Sequence, residues 1–172
     1  MTLRSPLPVQ DRYPDDVAHC YGCGHLNTAG HQLKTHVEDG RTVARFIPGP
    51  QHTAIPGYVY GGLIASLIDC HGTGTAAASG AALDAATEAD AAPLLDAQVV
   101  NAEAMMPRYV TARLDVTYRR PTPLGPELVL RGSVRERSAR KVIVDITLSA
   151  SGEVTAEGVV VAVRMPEHLG AG

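Results

Sequence analysis

The most constraining feature of the sequence is a helical segment, beginning at Gly62, that has almost no polar face. Large apolar residues recur in it at helical spacing and form one stripe: Leu63, Ile64, Leu67 and Ile68. The residues three, four and seven positions from Asp69 are all small. Such a helix must be wrapped by other elements. Its side of small residues around Asp69, here called the thin side, lets another group approach the helix closely.

Strand patterns flank this helix on both sides. Before it, residues 31–47 predict two short strands around a turn at Asp39-Gly40. After it, segments 109–120, 127–137, 141–150 and 154–165 have the spacing of an antiparallel meander. The first of these alternates strictly, which predicts one buried face carrying Val110, Ala112, Leu114, Val116 and Tyr118.

One helix cannot serve as the crossover for several parallel strands, so the pattern excludes a parallel α/β fold. It predicts an α+β fold in which one antiparallel sheet wraps around one central helix. We expect this single domain to span residues 31–166. Because an open sheet leaves edges unpaired, we also expect a homodimer or a dimer of dimers.

Two further segments lack a strand pattern. Residues 1–30 are rich in Pro, Gly, Asp and His and predict an irregular arm packed on the domain. Residues 80–107 form an Ala-rich insertion punctuated by Gly80 and Pro93. Continuation of the helix and a mobile surface excursion are both consistent with this composition.

Composition limits the partners. Acidic residues outnumber Lys plus Arg by 18 to 15, which argues against a nucleic-acid or anionic-membrane partner. No apolar run approaches the ~18 residues of a membrane span. The N-terminus lacks the apolar stretch of a signal peptide, so we expect a cytoplasmic protein.

Asp69 is the sharpest candidate for chemistry. It lies in the apolar helix, and no Lys or Arg occurs between Arg45 and Arg108. A buried carboxylate without a nearby cation is costly unless hydrogen bonds or a bound group offset that cost. Asp69 is therefore either a functional carboxylate or a residue at the helix edge that faces water.

Tyr60, Gly61 and Gly62 precede or begin the same helix. Glycines at a helix start let a ligand approach the free backbone N–H groups, which favour developing negative charge. Gly62 and Asp69 are seven residues apart and thus share one helix face. A carbonyl held on these amides would lie within reach of Asp69, although a glycine pair alone is also typical of a tight turn.

Cys20 and Cys23, with His19, His25 and His31 nearby, raise the possibility of zinc. Structural zinc needs four ligands, generally including a second closely spaced pair, and no second CxxC occurs. We therefore predict no metal and a packed, reduced turn. The absence of a Gly-rich nucleotide loop likewise predicts no cofactor.

Basic residues cluster at two strand ends. Arg119 and Arg120 end one predicted strand, and Arg137, Arg140 and Lys141 lie in a turn between two others. Both clusters are consistent with solvated surface or with phosphate binding at a pocket mouth.

Several of these segments together resemble the PaaI-type hotdog-fold acyl-CoA thioesterases. They are HCYGCGHLNTAG, FIPGPQHTAIPGYVYGGLIASLIDCHGTGTA, VTYRRPTPLGPELVLRGSV and GEVTAEGVVVAV. The resemblance implies a long sheet wrapped around a central helix, dimerised edge to edge. It also implies hydrolysis of an acyl-CoA thioester, with coenzyme A entering only as part of the substrate.

The resemblance also assigns roles to residues. It makes Asp69 the nucleophile or the base for water, and the Gly61 amide the group that polarises the thioester carbonyl. Thr73 matches a position whose hydroxyl often helps to position the carboxylate or water, and His52 matches a His of related members. Two positions depart from the family pattern: Tyr60 stands where His is usual, and Ala54 stands where Asn or Gln is common.

These departures leave two alternatives beside thioester hydrolysis. One is a hotdog hydratase or dehydratase, for which His52 or His71 would be the catalytic His. The other is an acyl-CoA-binding protein without turnover. In the thioesterase interpretation, the phosphates of coenzyme A are expected near Arg119, Arg120 and the cluster at Arg137, Arg140 and Lys141.

Overall fold

A computed structural model describes residues 5–87, 92–101 and 105–166. It contains one six-stranded antiparallel sheet with strand order β1-β2-β4-β5-β6-β3 and one long helix against it. The elements are β1 Thr35–Glu38, β2 Arg41–Phe46, α1 Gly61–Ala85, α2 Ala97–Asn101, β3 Tyr109–Tyr118, β4 Leu128–Arg137, β5 Lys141–Ala150 and β6 Glu153–Arg164. The predicted α+β class, with a sheet wrapped around one helix, is confirmed.

The sheet wraps α1 because its central strands alternate strictly. In β5 every second residue is buried, and these residues face the helix: Val142, Val144, Ile146, Leu148 and Ala150. The apolar stripe of α1 joins them in one core, in which Leu63 and Leu67 are completely buried. Burial of apolar surface between the two layers is the main stabilising contribution.

Small residues set how closely sheet and helix approach. A side chain at Gly158 in β6 would overlap the Cγ2 atom of Ile68. Likewise, a side chain at Gly72 in α1 would overlap Val160. These glycines are therefore required by the close contact of the two layers rather than by backbone conformation.

A buried polar network lies on the face of α1 that packs against β1 and β2. His71 is fully buried, its Nδ1 atom 3.0 Å from the Thr35 hydroxyl and its Nε2 atom 3.3 Å from that of Thr42. Thr42 also contacts Thr75 at 2.6 Å. Burial lowers the pKa of His71 to about 3, so the imidazole is neutral at physiological pH.

The structure corrects the predicted face of β3. The register shifts between Thr111 and Arg113, where a β-bulge interrupts the pairing with β6. Because a bulge inserts one residue, the helix-facing side changes from odd-numbered to even-numbered residues at this point. Tyr109 is thus buried while Val110 is 42% exposed. The buried face predicted from strict alternation is wrong: beyond the bulge only Leu114 and Val116 are half-buried, and Ala112 and Tyr118 are exposed.

The Ala-rich segment begins as a continuation of the helix, the first of the two alternatives. Helix α1 runs through Gly80 to Ala85 without a break. Gly80 is a contact point, because a side chain there would meet the ring of Tyr109. Beyond it, the short helix α2 is the element that the structure describes, and residues 88–91 and 102–104 lie outside the described residues.

The N-terminal arm, described from residue 5, contacts α1 and β1. It contains two short 3₁₀ turns, Val9–Arg12 and Asp15–Val17, and is otherwise irregular up to residue 30. Gln10 is fully buried, and its side chain bonds both the backbone N–H and the hydroxyl of Thr35. Within the described residues, no helix is long and apolar enough to cross a membrane.

Candidate active site

The thin side of α1 forms a partly exposed strip at its N-terminal half. The strip contains Gly61, Gly62, Ala65, Ser66 and Asp69, whereas nearly all the other residues of α1 as far as Ala82 are buried. The spacing of these five residues places them on one helix face. The expectation of a side that a ligand can approach closely is consistent with this strip.

The helix begins without a side-chain cap, because Tyr60 occupies the N-cap and makes no capping hydrogen bond. The N–H groups of Gly61 and Gly62 have no acceptor among the residues that the structure describes. Free N–H groups at a helix N-terminus carry partial positive charge. The ring of Tyr60 lies over Gly62, where any larger residue would overlap it.

Tyr118, near the end of β3, also reaches this helix start. Its hydroxyl donates a hydrogen bond of 2.8 Å to the carbonyl oxygen of Gly61. A side chain at Gly61 would lie 3.1 Å from that hydroxyl, so glycine keeps the space between helix and strand open. Sequence reasoning assigned Tyr118 only to a strand face and missed this contact.

Asp69 lies two turns into the helix and is half-buried. The hydroxyl of Thr111 donates a hydrogen bond of 2.5 Å to its Oδ1 atom. Burial raises the pKa of Asp69 above its ordinary value, while the Thr111 bond and the charge of Arg108 oppose that rise. A carboxylate whose pKa is raised, on the same helix face as free N–H groups, is a candidate for proton transfer.

Arg108 corrects the expectation that Asp69 has no cation nearby. It immediately precedes β3, and its guanidinium lies 4.5 Å from the ring centre of Tyr13 in the arm. It contributes to the electrostatics at Asp69 although 39 positions separate the two residues in the chain. Thr111 and Arg108 were both missed, since a β-bulge and a long-range approach leave no sequence signal.

The hydrogen bonds of Thr73 and His52 go to backbone groups and not to the carboxylate of Asp69. The Thr73 hydroxyl donates to the backbone carbonyls of Asp69 and Cys70, each at 3.2 Å. His52 accepts a hydrogen bond of 3.0 Å from the Gly49 N–H at Nδ1, and its carbonyl accepts the N–H of Tyr60. His52 thereby fixes the loop that leads into α1. Catalytic roles for both residues stay predictions.

The two basic clusters lie at opposite ends of the sheet. Arg119 and Arg120 follow β3 at the end where α1 begins, and each pairs with an exposed glutamate of β6. The other cluster lies at the β4–β5 turn, near the C-terminal end of α1. There Arg137 donates to the carbonyls of Ser79, Ala92 and Pro93. A single chain therefore cannot present both clusters to the same phosphates.

Three thiols meet beside Asp69. The sulfur atoms of Cys20, Cys23 and Cys70 lie within 4.8 Å of one another, and thiolates are ligands for soft metals. In the described part of the chain, no fourth His, Cys, Asp or Glu joins this cluster. His25 instead contacts the carbonyl of Gln10, and His31 packs against aromatic rings. The expected absence of zinc stays a prediction.

Comparison with known proteins places this geometry in a family. The model of the thioesterase superfamily matches residues 56–157, which include the helix start, Asp69 and most of the sheet. The chain belongs to the thioesterase superfamily. The sheet wrapped around one helix is accordingly the hotdog fold, and the resemblance to PaaI-type proteins is confirmed.

Individual members of this superfamily differ in how closely they match. A thioesterase superfamily protein from Shewanella loihica PV-4 is 45% identical, with a TM-score of 0.60 over 88% of this chain and 98% of that one. The E. coli PaaI protein shares the fold at 14% identity, with a TM-score of 0.58 over 79% of this chain and 81% of that one.

A curated relative carries a named activity. The mouse (Mus musculus) acyl-coenzyme A thioesterase THEM4 is 31% identical over 116 residues, which is 67% of this chain. The chain spans 38% of the length of that relative.

Proposed function

We propose that this thioesterase hydrolyses an acyl-CoA thioester to a free acid and coenzyme A. The observation that carries the proposal is one helix face, on which free N–H groups at Gly61 and Gly62 stand two turns from the half-buried carboxylate of Asp69. The activity named for THEM4 supports the choice of an acyl-CoA substrate.

The arrangement supplies the two groups that thioester hydrolysis requires. The N–H of Gly61, at the positive end of α1, stabilises the negative charge that develops on the carbonyl oxygen. Asp69 acts either as general base for water or as the nucleophile. The oxygen–carbon bond forms, the carbon–sulfur bond breaks, and the thiol leaves with a proton.

Thr111 is the positioning residue in this mechanism. Its hydrogen bond occupies Oδ1 of Asp69 and leaves Oδ2 for the reacting water or carbonyl carbon. It also favours the ionised carboxylate, which burial disfavours. The Tyr118 hydroxyl holds the first carbonyl of α1, and thus fixes the helix start against β3.

Arg119 and Arg120 are the proposed contacts for the phosphates of coenzyme A. They lie at the end of the sheet where α1 begins, and their ion pairs with Glu157 and Glu153 are solvent-exposed. Exposed ion pairs contribute little stability, so a phosphate can replace the glutamate. Arg140 and Lys141 can take part only from a second copy of the chain.

The geometry does not favour the hydratase alternative. Both ring nitrogens of His71 contact threonine hydroxyls, and the residue is completely buried. Nδ1 of His52 accepts a backbone N–H of its own loop. A dehydratase needs a His that can exchange a proton with substrate, and buried His71 is not accessible for that exchange.

A panel of acyl-CoA esters with a reagent for free thiols tests the proposal. We expect thiol release for at least one chain length or aromatic acyl group. Binding of the esters without thiol release would favour the acyl-CoA-binding alternative. Interconversion of enoyl and hydroxyacyl esters would favour the hydratase.

A further inference from the structure

The cysteine cluster joins the N-terminal arm to the central helix. The arm turn from Cys20 to Cys23 packs against α1, and the sulfur atom of Cys20 lies 3.8 Å from that of Cys70. A side chain at Gly22 would overlap the Cys70 sulfur. Glycine at this position therefore lets the turn approach the helix closely enough for the thiols to meet.

The three thiols differ in exposure. Cys23 and Cys70 are buried, at 1% and 5% exposure, whereas Cys20 is only partly buried. All three are free thiols in this structure. A small oxidant in solution therefore reaches Cys20 first, and Cys70 lies directly behind it.

The three thiols also differ in charge. Hydrogen bonds from the Cys23 and Cys70 thiols, and from the backbone N–H groups of Cys23 and Gly22, hold the pKa of Cys20 well below its ordinary value. The hydrogen bond to Cys20 raises the pKa of Cys23 to about 11 and raises that of Cys70 as well. Of the three thiols, Cys20 is therefore the one that ionises most readily.

We propose that Cys20 is a site of reversible oxidation by peroxides, and that Cys70 resolves it to a disulfide. The Cys20 thiolate attacks one peroxide oxygen, which breaks the O–O bond and gives a sulfenic acid and hydroxide. The hydroxide formed in this step removes the proton of Cys70, the Cys70 thiolate attacks the sulfenic sulfur, the S–S bond forms, and hydroxide leaves. Two sulfur atoms are oxidised and one peroxide is reduced. This reaction is independent of the proposed hydrolysis.

The position of Cys70 suits the role of partner. A disulfide requires a sulfur–sulfur distance of about 2.0 Å, so a pair at 3.8 Å needs a small movement. The arm can supply this movement, because Cys20 lies in an irregular turn while Cys70 is fixed in a buried helix. The product would link the arm covalently to the residue next to Asp69.

Peptide mapping of the intact protein tests the proposal. The reduced protein is treated with hydrogen peroxide, alkylated and digested with trypsin. Cleavage after Arg12, Lys34, Arg45 and Arg108 places Cys20 and Cys23 on one peptide and Cys70 on another. We expect these two peptides to be linked, the link to disappear with dithiothreitol, and Cys23 to be alkylated.

Two variants complete the test. Cys23→Ser should keep the link, and the double variant Cys23→Ser with Cys70→Ser should instead leave a sulfenic acid at Cys20 that dimedone traps. An internal Cys20–Cys23 disulfide, a link through Cys23, or full alkylation of Cys20 after peroxide would each overturn the proposal. The readout is a mass, so it is unaffected if the protein hydrolyses no thioester.

Discussion

At the scale of single residues, the carboxyl group of Asp69 is subject to opposing influences. Burial favours its protonated form, while the hydrogen bond from Thr111 and the charge of Arg108 favour the carboxylate. The net result is a raised pKa. Because the carboxylate is the working form in hydrolysis, activity should fall as pH decreases through a value above that of an ordinary aspartate.

Thr111→Val should move this loss of activity, the acid limb of the pH profile, to higher pH. Valine keeps the shape of threonine and removes the hydroxyl. Because the hydrogen bond from that hydroxyl lowers the pKa of Asp69, the pKa should rise in the variant. Rates of variant and parent should converge at high pH, where both carboxyls are ionised. The measurement is kcat against pH. Thr117→Val, an exposed change in the same strand beyond the bulge, is the control.

An unchanged acid limb in Thr111→Val would contradict the positioning role. An equal shift in Thr117→Val would show that any change in β3 alters the profile, and the hydrogen bond would then not be its cause.

How far the site could be predicted differs from residue to residue. Asp69, Gly61 and Gly62 were predicted because they lie in one helix, where spacing alone determines which residues share a face. Thr111 and Arg108 were not, because the residues before and within β3 approach the helix only after the chain has folded. The β-bulge adds to this difficulty. It exchanges the two faces of the strand, while the apolar and polar residues of the sequence continue to alternate as before.

At the scale of elements, the contact between β6 and α1 depends on the absence of a side chain at Gly158. We expect Gly158→Ala to destabilise the protein by about 1–3 kcal/mol, because its methyl group would overlap Cγ2 of Ile68. Unfolding in denaturant gives this value. Overpacking outweighs the better strand propensity of alanine.

Ile68→Leu provides the matched test, since leucine has no methyl group on Cβ. The cost of Gly158→Ala should be smaller in the Ile68→Leu background than in the parent, which is a favourable coupling between the two positions. Strictly additive costs would show that the contact between these two residues does not limit the approach of sheet and helix.

The sequence predicted the six strands and the helix well, because each one repeats a clear pattern. The β5 strand was predicted from Lys141 to Ala150, as observed, since it lies in the sheet interior and buries every second residue. The Ala-rich segment was harder, because alanine favours helix without indicating a partner surface. Its first part is helical in the structure, where Gly80 packs against Tyr109.

At the scale of the whole molecule, β3 is a ten-residue strand at the edge of the sheet. It pairs only with β6 among the described strands, and Val110 on it is 42% exposed. A long edge with unpaired backbone groups favours pairing with a second copy. We expect light scattering at micromolar concentration to give two or four times 18.1 kDa. A mass of one chain would contradict this.

The positions of the basic clusters predict which of them affects substrate affinity. Arg119→Gln with Arg120→Gln should raise KM for an acyl-CoA roughly 10-fold at low salt, as expected for two exposed charge contacts of ~0.7 kcal/mol each. The effect should shrink as salt increases, and kcat should stay nearly constant. The matched control is Arg113→Gln with Arg164→Gln, two arginines in exposed ion pairs nearer the other end of the sheet.

An equal rise of KM in the control variant would mean that overall charge, rather than a phosphate contact, causes the effect. Unchanged KM in the Arg119 and Arg120 variant at low salt would place the phosphates elsewhere.

The most direct test of the proposed mechanism is the rate of thiol release by Asp69→Asn. Asparagine keeps the shape of the side chain and removes the charge. Because burial disfavours the carboxylate and raises its pKa, stability at neutral pH should be kept or improved. Loss of a general base should lower kcat by roughly 10²–10⁴-fold with little change in KM.

Asp84→Asn makes the same chemical change at an exposed position in the same helix, and it should leave kcat unchanged. The account predicts a folded Asp69→Asn protein with a rate reduced at least about 100-fold. A folded Asp69→Asn protein that releases thiol at the parent rate would show that Asp69 is not the catalytic carboxylate.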